Sequence, residues 1–456
     1  MMKMRKLLSL LFATMMLLTM FSATVLAEGD VTEITIWTKD RHDQEHMLAL
    51  FEKFNAENPD IKVVYEMYTD NYKQVIETAS TNNVLPDIFC VNGEEMTTNM
   101  KLRGQLVYLD EFLTDEHKAI FDSSFFVEDR NMHDGKIFSL PATGTTLRLV
   151  YNQDIFDRVG LEGPPATISQ MVEYSKKITA ELGKEGIYGF ALPMANPLSG
   201  FQRGITNMMN LDGAANIEGF DLAQGKYDFT VYKPYMEALK EIWDTEAAFP
   251  GCESLQIDPL RTQFADGKIG MYMTYNHSEY GVYTEQFPTE INWQYAMLPI
   301  LGEEIVGTQR VNAGAWYAMT TTCQDPAKGW RVLAAMYDLE ENLIPYYEKG
   351  LGVSVLPAVI EKAQTPTAIE SVPLMAIQPA TDKVWPLSPI GIVPEGNDWG
   401  IAFAEFIFGA NDNIDGIITD LNARYQAAYE KSVADGLNRE VHYPNIDAAD
   451  PANTAK

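Results

Sequence analysis

Cysteine is scarce, with only Cys90, Cys252 and Cys323 in 456 residues, odd in number and far apart. That pattern argues against a disulfide framework and a cysteine-built metal site, with one bridge, Cys90–Cys252 or Cys252–Cys323, left open. Cations are scarce too: 34 Lys and Arg stand against 64 Asp and Glu, for a formal net charge of −30. A field of that sign repels phosphate backbones and anionic lipid, which argues against nucleic-acid or membrane-surface partners and suits a binder of neutral solutes. No GxSxG motif, phosphate-binding P-loop or paired-cysteine cluster is present, so the usual signatures of serine hydrolases and P-loop enzymes are missing. Beyond residue 27 no apolar run approaches the ~20 residues that a membrane span needs.

The amino terminus carries Lys3, Arg5 and Lys6 ahead of an apolar core over residues 7–21, closed by Val25-Leu26-Ala27. This is the pattern of a secretory signal peptide over residues 1–27. Its removal would take away three cations and no anions, leaving −33 on the mature chain. Glu28 follows Ala27 where a lipid-acceptor cysteine would stand in a tethered protein, so a released, periplasmic or extracellular cell-surface-associated protein is expected. With 46% hydrophobic residues, the remaining chain can bury sizeable cores and suggests two to three domains.

Periodicity predicts a strand over residues 34–37, and a helix over 42–58 whose Met47, Leu50, Phe51 and Phe54 share one face. After the Asn58-Pro59 stop comes a second strand over 61–65. That is a βαβ unit and hence a parallel sheet. A helix over 72–81, a strand over 85–91 and a helix over 96–103 continue it. Lys136 to Leu140 is an apolar-rich run closed by Pro141, Gly144 is placed to absorb backbone change, and residues 147–151 read as a strand. Thr167-x-x-Gln170 is a capping box for the helix that follows. Residues 291–298 alternate as a strand, Asp325-Pro326 caps a helix, and residues 412–434 are helical. The chain beyond Asp435 reads as a loosely ordered end, and there is no internal repeat.

Four pieces stand in a telling order: Asp134-Gly135-Lys136 with Pro141, Leu149-x-Tyr151-Asn152, Gly160-Leu161, and Pro164-Pro165-x-Thr167. Their sequence and spacing resemble the first hinge of the extracytoplasmic solute-binding proteins that feed sugars to ABC importers, the maltodextrin and oligosaccharide-binding type. Residues 264–277 and 311–319 resemble that family's second and third crossings. The resemblance implies an α/β, two-lobed periplasmic-binding-protein type II fold, its discontinuous lobes joined by a three-segment hinge. It places the N-terminal lobe in residues 28–143 and 273–312, the C-terminal lobe in 144–272 and 313–440, and a tail in 441–456. It also implies a monomer without cofactor or metal, a saccharide ligand between the lobes, and the transmembrane subunits of an ABC permease as partner.

A sugar presents hydroxyls that need directional partners and C–H faces that are apolar, so its site calls for aromatic platforms edged by carboxylates, amides and a few cations. Trp243, Trp293 and Trp330 fall at core spacing, which leaves Trp37, Trp316 and Trp385 as cleft candidates, with Trp399 behind them. In open α/β sheets ligands lie outside the carboxyl ends of the strands. That rule selects Thr38, Asp40 and Arg41 after the first strand, Asn92, Glu94 and Glu95 after the third, and Tyr275 and Asn276 after the strand before the second crossing. Thr143 and Thr145 at the hinge, and Phe201, Gln202 and Arg203 in an SGFQRG loop, complete the set. The maltodextrin-binding relatives place an acid and a base where Glu94 and Glu95 stand, so two acids here leave the particular ligand open.

A rival reading comes from His42-Asp-Gln-Glu45-His46, a literal H-x-x-E-H, the spacing of inverted zinc peptidases. On a helix both imidazoles would lie well away from the Met47/Leu50/Phe51/Phe54 face, and no third ligand is designated. A secreted glycosidase, which needs two carboxylates across a cleft, is the other member of this hydrolase alternative.

Overall fold

The structure, a computed structural model, describes residues 31–68, 71–314 and 316–455. The signal peptide expected over residues 1–27 lies outside the described residues. Among them, no helix is long and apolar enough to cross a membrane.

The first sheet has the strand order 317–319, 88–90, 32–38, 61–67. Thr32–Thr38 pairs in parallel with Ile61–Met67 on one side and Ile88–Cys90 on the other. The helices Gln44–Glu57 and Tyr72–Thr81 supply the crossovers that parallel pairing requires. Met47, Phe51 and Phe54, three of the four residues expected on one face, are buried against the sheet, while Leu50 packs at the core's edge. Because the chain leaves Thr38 to one side and Cys90 to the other, the carboxyl ends of these strands open a crevice at a topological switch point.

The second sheet has the order 293–296, 147–152, 269–275, 188–191. Ile269–Tyr275 runs antiparallel to Leu147–Asn152 with Tyr275 opposite Leu147, so the end of one strand meets the start of the other. The capping box at Thr167 is formed, with the Gln170 N–H donating to Thr167 Oγ1 at 3.2 Å and Gln170 Oε1 accepting from the Thr167 N–H.

These pairings correct two of the lobe boundaries expected from sequence. Residues 273–312 do not return to the first lobe, since Trp293–Ala296 hydrogen-bonds to Leu147–Asn152 in the second sheet. Residues 313–440 do not all belong to the second, since Tyr317–Met319 pairs antiparallel with Ile88–Cys90 and Val332, Leu333 and Met336 join the first core. A strand's own alternation carries no information about which sheet receives it. The chain beyond Asp435 is also docked rather than loose: Val441 and Ala448 are buried, Tyr443 N–H donates to the Leu222 carbonyl, and Thr308 N–H to that of Ala448.

Three segments link the lobes. The first, through Thr143 and Thr145, forms isolated bridges with Ser354 and with Asn312 of the second segment. The third runs along Asp382–Val384, parallel to Gln309–Val311, with Val384 in the first core and Trp385 in the second. Gly144 serves close approach rather than backbone freedom. Its φ is not left-handed, and a Cβ there would stand 2.3 Å from Val355 Cγ1 and 3.0 Å from Val311 Cγ1. The first apolar core also continues past the hinge through Val150, Tyr272 and Tyr295, on one face of the second sheet. All three cysteines are buried and free.

Candidate functional site

Where the lobes meet, two chambers open side by side and share Thr145 and Asn312. The larger, about 380 Å³, is walled by Glu94, Arg130, Gln202, Tyr275, Arg310 and Trp385 among others. The smaller, about 310 Å³, is walled by Lys39, Asp40, His42, Thr143, His277, Trp316 and Tyr346. Both draw on both lobes. Lys39 and Asp40 follow the strand Thr32–Thr38 at the switch point, and Tyr275 ends, and His277 follows, the strand Ile269–Tyr275 from the opposite side.

Of the residues selected from sequence, Asp40, Glu94, Thr143, Thr145, Gln202, Tyr275, Trp316 and Trp385 line one chamber or both. Five others do not. Trp37 lies on the first strand with its ring against Tyr68, centroids 4.9 Å apart, and lines neither chamber. Thr38 is wholly buried, its hydroxyl accepting from Tyr317 Oη at 3.0 Å. Asn276 is equally buried, accepting from the Thr146 N–H at 2.9 Å and donating to the Met375 carbonyl at 2.6 Å. Asn92 and Glu95 line neither chamber, Glu95 exposed in the first turn of a helix. The rule that strand ends face a cleft selects the right loops but not which alternate side chain turns inward.

Of the SGFQRG loop, Phe201 is core and stacks with Trp399. Arg203 lays its guanidinium over the Tyr275 ring, 5.3 Å from the centroid, and donates to Thr274 Oγ1 at 3.1 Å. Burial holds the Arg203 guanidinium below its usual range. Arg130, Glu218, Arg310, Asn312 and Tyr346 were not selected from sequence. Arg310 and Asn312 flank a crossing and carried that much signal, whereas Arg130 and Glu218 sit in irregular loops and carried none.

The H-x-x-E-H motif dissolves. The helix starts at Gln44, so His42 precedes it and meets Tyr346 Oη at 3.2 Å, while His46 Nε2 meets Asn342 Oδ1 at 2.8 Å and Glu45 is exposed. Among the described residues the three do not gather as metal ligands; the group that does is Glu128, Asp129 and His133. There Asp129 is already taken, accepting from Arg439 Nε of the other lobe at 2.8 Å, with Lys101 4.0 Å away. Burial opposes the charge on Asp129, but His133, Arg439 and Lys101 outweigh it and hold its carboxyl below the usual range.

His277 stands solvent-exposed at the cleft surface yet crowded by surrounding protein. That crowding, with Arg261, His42 and Arg203 nearby, holds its imidazolium below the ordinary 6.5 against the pull of Glu279. His46 moves the same way, chiefly through burial. Between 6.5 and these lowered values the native state binds fewer protons than the unfolded chain, so stability is full above 6.5 and falls as pH drops through that window. Urea midpoints are therefore expected to decrease from about pH 7.5 to about pH 5.5, less so in His277→Asn. An identical decrease in the variant would remove His277 as a source.

A pair of α/β lobes, crossed three times by the chain and enclosing a lined cleft, is the architecture of a periplasmic-type binding protein. The chain belongs to the bacterial extracellular solute-binding protein family, whose model matches residues 40–342. It is similar to a binding protein of Brucella abortus (strain 2308), 26% identical over 229 residues, 48% of this chain and 52% of the relative. It also matches the sn-glycerol-3-phosphate-binding periplasmic protein UgpB of Shigella flexneri, 33% identical over 166 residues, 33% of this chain and 36% of that one. The chain thus spans about half the length of the first of these relatives and about a third of the second. Among solved structures, apo RafE from Streptococcus pneumoniae superposes with a TM-score of 0.68 at 16% identity, covering 90% of this chain and all of that one. MalE from Bdellovibrio bacteriovorus bound to maltotriose superposes with a TM-score of 0.63 at 16% identity, covering 89% and 100%. These likenesses show the fold.

Proposed function

We propose that this protein is the extracytoplasmic substrate-binding subunit of an ABC importer, which holds a saccharide between its lobes and delivers it to a membrane permease. The observation that carries the reading is the content of the two chambers. Trp316 and Tyr275 offer apolar faces, and Asp40, Glu94, Gln202, Thr143 and Thr145 offer directional partners for hydroxyls. RafE is known with raffinose, MalE with maltotriose, and UgpB is named for sn-glycerol 3-phosphate, which supports a small polyhydroxyl solute.

Closure is a population shift: a ligand that touches both lobes only when they meet favours the closed form by its differential contacts. The protein acts as a monomer that binds without turnover, outside the cytoplasm. Buried partners give selectivity, since an analogue lacking one hydroxyl strands a desolvated group at a cost of about 1–3 kcal/mol. A thermal-shift screen over a saccharide panel, run beside a turnover assay on the same compounds, tests the reading. A raised midpoint without product is expected. Product formation, or no shift with any saccharide or polyol phosphate, would overturn it.

A further inference from the structure

The larger chamber holds more hydrogen-bond donors than its own acceptors satisfy. Arg130 is 7% exposed, and its one recorded bond is from Nε to Glu94 Oε1, at a long 3.3 Å. Its Nη1 is buried with no partner. The Trp385 indole Nε1, on a side chain 1% exposed, is buried and unpartnered as well. Arg310 reaches into the same space with one recorded side-chain bond, Nε to Asn207 Oδ1 at 3.5 Å. Arg203 adjoins through the Tyr275 ring, and its Nε is also buried without a partner. A guanidinium offers five N–H groups in a planar fork. Burying one with so little compensation is unfavourable unless something else supplies acceptors.

The chamber's acids do not supply them. Glu94 is shared with Arg130, and Glu218 accepts from Gln202 Nε2 at 2.9 Å. Arg130 and Arg310 thus equal Glu94 and Glu218 in number within the chamber, but Glu94 and Glu218 are both engaged while the arginine N–H groups are not all satisfied. The oxygens of neutral hydroxyls bring their own donors and would satisfy fewer of these N–H groups. A carboxylate or phosphate accepts only, in the bidentate geometry that arginine fits.

Resting on the saccharide reading above, we infer that the solute seated in the larger chamber carries an anionic oxygen group, received by Arg130, Arg310 and the Trp385 indole N–H. The ligand class is an acidic saccharide, with a uronate carboxylate or a sugar phosphate as the source of that group.

Titration calorimetry on the full chain with matched compounds tests this: a neutral disaccharide or trisaccharide, its uronate-containing counterpart, the corresponding sugar phosphate, and inorganic phosphate. The acidic sugar is expected to bind about ten to a hundred times more tightly than its neutral counterpart. The carboxylate and phosphate arms identify the source. Arg310→Gln, at a half-buried position, should narrow that ratio to within a few-fold while leaving the unliganded melting curve in place. Arg130→Gln should narrow it too, and if that variant does not fold, the Arg310 result stands alone. A neutral sugar that binds as tightly as the acidic one, or an unchanged ratio in Arg310→Gln, would overturn the inference and leave the saccharide reading intact. Absence of binding by every sugar would overturn both, and binding of inorganic phosphate alone would show an ion site with no sugar specificity and likewise overturn the inference.

Discussion

Replacing Asp382 by leucine is expected to destabilise the protein by about 3–5 kcal/mol, because it leaves a buried guanidinium without its counter-ion. Arg148 and Asp382 both have fully buried side chains, joined through Nη2 to Oδ2 at 2.5 Å and Nη1 to Oδ1 at 3.3 Å. Arg148 also donates to the carbonyls of Leu147, Leu374 and Ala376, and Asp382 accepts from Gln309 Nε2 and the Gln378 N–H. The pair thus ties the third linking segment to the strand Leu147–Asn152. Urea unfolding followed by tryptophan fluorescence should show a clearly lowered midpoint. The double variant Arg148→Met/Asp382→Leu should recover much of the loss, since two well-packed apolar groups leave no stranded charge. A single variant as stable as the parent would mean that water reaches the pair.

Trp316→Leu is expected to weaken the best ligand of the saccharide panel about ten- to a hundredfold while leaving the fold in place. The ring borders the smaller chamber and is braced edge-on by Tyr317, Tyr337 and Tyr346, with centroids 5.3, 5.7 and 5.4 Å away. Leucine fills part of the space against those rings but offers a sugar no flat face. Trp37→Ala is the matched comparison. That ring lines neither chamber, so its loss should leave affinity unchanged in calorimetry even though it bares Tyr68. Equal losses in the two variants would show that Trp316 acts through the fold and not as a platform.

The contrast between these two tryptophans shows how far the chain could be read. Both end or adjoin strands of the first sheet, and sequence alone ranks them together. What separates them is what each ring packs against, Tyr68 for Trp37 but Tyr337 and Tyr346 beside the smaller chamber for Trp316, and those neighbours come from other segments of the chain. Hinge residues were easier. Thr143, Thr145, Trp316 and Trp385 lie within a few positions of a linking segment, and covalent continuity carries them to the cleft whatever the lobes do, while Tyr275 reaches it from the end of a second-sheet strand. Arg130 and Glu218, brought in by loops without periodicity, had no such tether.

From the order of its residues alone, this chain determined its local elements. The βαβ beginning and the Thr167 capping box follow from periodicities and caps that act over a few residues, and the first crossing was legible through its resemblance to a family hinge; the crossing expected over residues 264–277 is instead a strand of the second sheet, and the link along Asp382–Val384 was not read. Only the tertiary structure decided which sheet receives Trp293–Ala296 and Tyr317–Met319, and which donors face the cleft unpartnered. Those outcomes depend on pairing and burial between residues far apart in sequence, where a segment's own pattern is the same for either partner.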